Sequence, residues 1–408
     1  MTDIEKCKEL LLKVAEIGKQ SRQVPPIYEV EPFQYFFSQG LIKYNELDKR
    51  DGGCTRREII TRYLLVNAVL DQGPHIPGVR KLLKEVTTDL YRKERRIFHR
   101  PLDFFSEMGI SIDSILEQHK SVKAIFAENW SKNKKSSAAS YNLFFTQSSR
   151  GIISTNQVLD YSVHRWGTPL CVPLLLEKDN QKNGKESGQP LIDYLESYSS
   201  AETMVQGIKN NNRYGLGSAI GDKAAHLFAK WYVTFFNLST RKKSDTGWTD
   251  ISYEVPFDGN VGRVLFRTGF FSEFASLEEY KKWKVIQLNS GKYGKHHIRV
   301  TNIRKKKVVD VENNSSLFRD YSDLLVNYLK MGSRPRGMEI QRMPGLILFQ
   351  LFQQGYKYSI ADLDDGLMHI GTTFCHNDKE LPNCKECPVN KFCVGYKKKP
   401  KLISDYRT

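Results

Sequence analysis

Four cysteines stand close together late in the chain, Cys375, Cys384, Cys387 and Cys393, in the stretch FCHNDKELPNCKECPVNKFC (374–393). Their spacing is C-x8-C-x2-C-x5-C. Two deprotonated thiols two residues apart can share one metal centre. Four can surround a tetrahedral zinc ion or cap a [4Fe-4S] cluster. Pro382 and Pro388 stiffen the turns between them. Spacing leaves zinc and iron–sulfur both open. A disulfide framework accounts for the pattern less well, because the chain has 7 cysteines, an odd number, and the four are bunched. Cys7, Cys54 and Cys171 read as ordinary thiols.

A second set of residues sits at helix ends. Lys223 falls in the first turn of DKAAHLFAKWYVTFF (222–236), directly after the glycine-rich RYGLGSAIG (213–221). Free N–H groups and the helix dipole make that turn electropositive, so a lysine there loses its proton more easily, particularly if partly buried. A neutral amine can attack an aldehyde or anomeric carbon and form a Schiff base. The plain alternative is a lysine that touches phosphate or solvent. Asp258 opens the helical pattern in VPFDGNVGRVLFR (255–267), where it is placed as an N-cap. Gln72 ends the helix of REIITRYLLVNAVLDQ, with Asp71 and His75 beside it.

Charge is the third signal. The chain has 408 residues, with 62 Lys and Arg against 46 Asp and Glu, a formal net charge of +16. That excess favours a polyanionic partner. It is uneven: KKWK (281–284), GKYGKHHIR (291–299) and RKKK (304–307) make one basic region, in which Lys292, Lys295 and Arg304 are candidate phosphate contacts. A hydrophobic content of 40% argues against global disorder. No run of 18 apolar residues occurs, so no membrane span is expected. The opening MTDIEKCKELLLKVAEIG reads as an amphipathic helix, not a secretory signal, and an intracellular protein is expected.

The elements that must position these residues are mostly helices. Periodicity predicts helices over 1–19, over 55–72, over the VRKLL segment after GPHIPG (73–78), around 111–129, and twice between 190 and 212. Thr55 is placed to cap the second of these, with Glu58 completing a capping box. KDNQKNGKESGQP (178–190) and RKKSDTGWTD (241–250) read as loops. Residues 261, 264, 265 and 268 share one helix face, MPGLILFQLFQQG (343–355) reads as a core helix, and DDGLMHIGTTFC (364–375) delivers the first cysteine of the cluster. Alternating strand patterns are scarce, and an all-α chain is expected.

The stretch LMHIGTTFC…PNCKECPVNKFCVGY resembles the C-terminal iron–sulfur motif of the helix-hairpin-helix DNA glycosylases, the group that includes endonuclease III. Two upstream segments resemble the same family in the same order. GSAIGDKAAHLFA (217–229) resembles its hairpin, with Gly221 as the last glycine, Gly217 lending freedom before it, and Ser218 and Ala219 departing from the usual residues. VPFDGNVGRVLFR resembles the segment that carries its aspartate. The resemblance covers roughly 57–100 and 200–400, with 272–340 poorly matched.

The resemblance implies a two-lobed all-α fold with DNA in the cleft and a C-terminal [4Fe-4S] cluster on Cys375, Cys384, Cys387 and Cys393, with zinc as the alternative. It divides the chain into N-terminal helices (1–110), a central lobe with the hairpin (111–271), a basic insertion with further helices (272–363) and a cluster region (364–408). It implies a base-excision repair glycosylase with AP lyase activity, acting as a monomer on double-stranded DNA that carries a damaged base or abasic site. Lys223 would attack C1′, Asp258 would stabilise the charge that develops there, and Gln72 would fill the gap left by the flipped base. Gly217, Gly221, Lys292, Lys295 and Arg304 would hold phosphate. A monofunctional glycosylase, or a non-catalytic, metal-knotted DNA-binding protein, are the alternatives. The identity of the base is left open.

Overall fold

The computed structural model describes residues 3–22, 27–31, 33–38, 41–71, 76–107, 110–118, 163–210, 220–241, 247–250, 252–256, 258–268, 270, 286–288, 298–300, 355–375, 383–393 and 396. These are predominantly helical. The strands among them form three two-stranded antiparallel pairs: β1 (Phe37–Ser38) with β2 (Leu41–Ile42), β3 (Arg50–Asp51) with β4 (Cys54–Thr55), and β5 (Ile286–Leu288) with β6 (Ile298–Val300). No helix among the described residues is long and apolar enough to cross a membrane. The chain divides into two compact units. The first comprises residues 1–23, 200–202 and 242–408, the second 24–199 and 203–241.

In the first unit, α1 (Asp3–Gln20) is the N-terminal amphipathic helix expected from the sequence. It buries Leu11, Val14 and Ala15 completely. Its partner is the helix Ile360–Thr373, which comes from the far end of the chain. The two backbones touch at glycines. A Cβ on Gly18 would lie 1.8 Å from the Asp362 carbonyl oxygen, and one on Gly366 would lie 1.9 Å from the Val14 carbonyl oxygen. The Ile360–Thr373 helix starts four residues before its apolar pattern suggests, because Ser359 and Asp362 form a full capping box at its head. Arg22, just past α1, pairs with Asp362 at 3.2 Å.

In the second unit, α2 (Arg56–Leu70) is buried along nearly its whole length. The Thr55 hydroxyl caps it by accepting from the Glu58 N–H at 3.2 Å, as expected. The reciprocal half of the predicted box is absent. The Thr55 N–H instead donates to the Gly188 carbonyl at 2.9 Å. The Glu58 carboxylate turns inward, where it accepts from the backbone N–H groups of Leu191 and Ile192 at 3.1 and 3.0 Å. A carboxylate on one helix therefore caps another, the Pro190–Glu196 helix. Arg62, one turn along α2, donates to Glu58 at 2.8 Å and to Glu177 at 2.7 Å.

The remaining helices in chain order are α3 (Ile76–Arg92), α4 (Leu102–Glu107), α5 (Asp113–Gln118), α6 (Val163–Lys182), α7 (Pro190–Glu196), α8 (Ala201–Asn210), α9 (Asp222–Ala229), α10 (Gly259–Arg267) and α11 (Ile360–Thr373). A π-helical turn over Lys230–Phe235 continues α9, where an uninterrupted α-helix was expected. α6 differs more from expectation. It contains Pro169 and Pro173, and it runs into the segment read as a loop, ending at Lys182. Each interior proline costs about 3 kcal/mol. Burial of Trp166, Leu170, Val172, Leu174 and Leu175 offsets that, at about 1.5–3 kcal/mol per side chain. The helix stops at Gly184, whose φ is +66°.

Helical content agrees with the expected class. A two-lobed helix-hairpin-helix architecture closed by an iron–sulfur loop is not evident among the described residues, and that part of the expectation is corrected. Where the hairpin should close, Gly221 is extended (φ −104°, ψ −178°), and a Cβ there would meet nothing within 4 Å. A side chain would fit at that position.

Candidate metal centre and the predicted site residues

The C-terminal thiols are brought together within the first unit. α11 ends at Thr373, and Cys375 follows in the bend where its N–H reaches back to the Ile370 carbonyl at 2.8 Å. Residues 383–393 then fold as tight turns. Asn383 N–H donates to the Phe374 carbonyl at 2.9 Å, and Asn390 N–H donates to the Cys387 carbonyl at 3.0 Å. The result is a small cavity lined by Cys375, Cys384, Cys387 and Cys393, closed by apolar side chains that include Val264, Ile370 and Val389.

One cation reaches this cavity from α10. Arg267 is 1% exposed, and its Nη1 lies 3.6 Å from the Cys375 sulfur and 3.4 Å from the Cys375 carbonyl oxygen. The Cys393 thiol donates to the Arg267 carbonyl at 3.3 Å, and the Tyr396 N–H donates to the Cys393 sulfur at 3.4 Å. The Cys387 thiol is pushed up to about 12, by burial first and then by the three other thiols, while the Val389 N–H pulls the other way. Among the described residues, the buried Arg267 guanidinium is the one basic side chain that lines the cavity.

The predicted iron–sulfur centre is nonetheless corrected. Among the described residues, the group whose ligand atoms all lie within 4.8 Å of one another is Glu202, His226 and Glu254, all three buried. The four thiols do not gather to that spacing. This carboxylate–imidazole group went unread in the sequence. Nothing in the spacing of 202, 226 and 254 marks the three as neighbours.

Asp258 caps α10. Its Oδ1 accepts from the N–H groups of Asn260 and Val261 at 2.8 and 3.1 Å. α10 also packs on α11, where Arg263 donates to the Gly371 carbonyl at 2.9 Å and to the Asn260 side chain.

Lys223 lies in the second unit. Its Nζ is 3.5 Å from the carbonyl oxygen of Asp71, at the C-terminal end of α2, so the ammonium group meets the negative end of a helix dipole. The Asp71 carboxylate is itself buried and pairs with Arg80 at 3.2 Å. Lys223 and Asp258 thus belong to different units. Gln72, Gly217, Lys292, Lys295 and Arg304 lie outside the described residues. Cys54 and Cys171 are buried free thiols.

No protein-family model, curated protein or solved structure matches the chain. The resemblance to helix-hairpin-helix glycosylases therefore finds no support as a family assignment. It is corrected together with the repair and iron–sulfur vocabulary that it carried.

Proposed function

We propose that this chain is a non-catalytic DNA-binding protein. The observation that carries the reading is the formal net charge of +16, with 62 Lys and Arg against 46 Asp and Glu. That excess supplies a largely sequence-independent attraction for duplex DNA. In this reading Arg267 positions Cys375 by its contacts with the sulfur and the carbonyl, and Asp258 serves as a helix cap.

Filter retention of duplex DNA by the purified full-length protein tests the reading. We expect retention at about 50 mM salt that does not depend on a damaged base, with no free base and no strand scission from damaged or abasic duplexes. No retention would sink DNA binding, and release of a base or a cut strand would sink the non-catalytic half.

A further inference from the structure

The second unit contains a cleft of about 490 Å³ that plays no part in the DNA-binding reading. Clefts of about 300–1,000 Å³ are the size that encloses small organic ligands. Two pieces of chain meet to form it. One is the β3–β4 turn, where Gly52 and Gly53 have φ of +61° and +90°. The other is the end of α6 with the loop after it. They are held in contact at Gly188 (φ +73°), whose added Cβ would lie 2.9 Å from the Gly53 carbonyl oxygen and 3.1 Å from Arg50 Cζ.

The polar groups in the cleft fall into two classes, spent and unspent. Arg100 is spent on Asp103 at 3.0 Å, and Glu177 is spent on Arg62 at 2.7 Å. Arg50 uses one of its five donors, on the Ser187 carbonyl at 3.3 Å. The Lys185 ammonium and the side-chain amides of Asn180 and Gln181 have no hydrogen-bond partner among the described residues. Glu186 is the one lining carboxylate in the same condition. The His99 imidazole also lines the cleft. Its side chain is 2% exposed, with Nε2 3.4 Å from Asp51 Oδ2, and Asp51 is held in turn by the Tyr35 hydroxyl at 2.5 Å.

We propose that this cleft binds a mononucleotide, with Arg50 and Lys185 taking the phosphate and Asn180 and Gln181 reading the edge of the base. A guanidinium fork matches two phosphate oxygens, and a lysine adds a point charge. A side-chain amide offers a donor and an acceptor side by side, the pattern that a heterocyclic base edge presents in complement. Glu186 disfavours a second, more highly charged phosphate group. Burial holds His99 below its ordinary value, with Asp51 pulling the other way, so its ring is neutral at pH 7 and suits a ribose hydroxyl. The proposal is independent of DNA binding, and either can fail alone.

Isothermal titration of the full chain tests it, with the four nucleoside monophosphates, the matching nucleosides and inorganic phosphate as separate titrants. At least one monophosphate should bind with a Kd of about 1 mM or tighter, and its nucleoside and inorganic phosphate should bind about tenfold more weakly or worse. The Arg50→Gln/Lys185→Gln double variant should lose about tenfold in affinity, and both side chains are exposed, so the fold should survive. An unchanged thermal midpoint in that variant checks this. No binding of any monophosphate, equal affinity for inorganic phosphate, or unchanged affinity in a folded double variant would each overturn the assignment.

Discussion

Glu58 shows how much one side chain can organise. It is completely buried, satisfies two N–H groups at the head of α7, and balances Arg62, which is also buried. Glu58→Ala should leave a guanidinium without its main partner and a helix end without its cap. The expected loss is about 3–5 kcal/mol in urea unfolding. Glu58→Gln keeps one acceptor and should cost less. A loss below about 1 kcal/mol in the alanine variant would mean that Glu177 alone can hold Arg62.

His99 makes a second residue-scale prediction. Burial lowers its folded-state value, while Asp51 resists that shift. An unfolded chain therefore takes up the proton first as pH falls below the ordinary imidazole value of about 6.5. His99 costs nothing above that value, and stability is lost as pH drops from there toward the folded value. Unfolding measured from about pH 7 to pH 5.5 should show this decline, and His99→Asn should flatten it. Equal slopes for the two proteins would show that other histidines carry the effect.

At the scale of elements, the strongest constraint is the contact of α1 with α11. Gly18 and Gly366 each face a carbonyl of the opposite helix at a distance no Cβ tolerates. Alanine at either site must push backbone against backbone, and backbone does not yield as a side-chain tip does. Gly18→Ala and Gly366→Ala should each cost about 3 kcal/mol or more in thermal or urea unfolding. Serine at these positions should be no better.

The same elements show what the sequence made legible. Local chemistry was readable: Thr55 as a cap, Asp258 as a cap, the amphipathic face of α1, and the spacing that brings four thiols to one cavity. Each rests on residues a few positions apart. Interactions across the chain were not readable. Glu58 was assigned to its own helix because a capping box is a local rule, yet its carboxylate serves residues 191 and 192. Pro169 and Pro173 sit inside a helix that apolar burial holds together. Gly18 and Gly366 carry no local signal of their contact, since a close helix contact leaves no mark on either sequence alone. Glu202, His226 and Glu254 stayed hidden for the same reason.

At the scale of the whole molecule, the proposed role makes two demands. Binding to duplex DNA through net charge should weaken steeply with salt, with log K falling linearly against log salt concentration. Between about 50 and 200 mM salt the affinity should drop by at least roughly tenfold, measured by fluorescence anisotropy. A flat dependence would remove the electrostatic argument. The non-catalytic reading also expects no covalent adduct when the protein and abasic DNA are treated with borohydride, because Lys223 is directed at the Asp71 carbonyl. A trapped adduct that disappears in Lys223→Gln would restore an amine nucleophile and reject the reading.

The pairing of α1 with α11 also governs the order of events at birth. α1 has its packing surface supplied by residues 360–373, roughly 340 positions later in the chain. Until those residues are synthesised, Leu11, Val14 and Ala15 lack their native cover. The second unit, whose residues lie between 24 and 241, is complete in translation well before that. A nascent chain halted near residue 350 would thus carry a finished second unit and an α1 segment open to protease, and emergence of residues 360–373 would close that window.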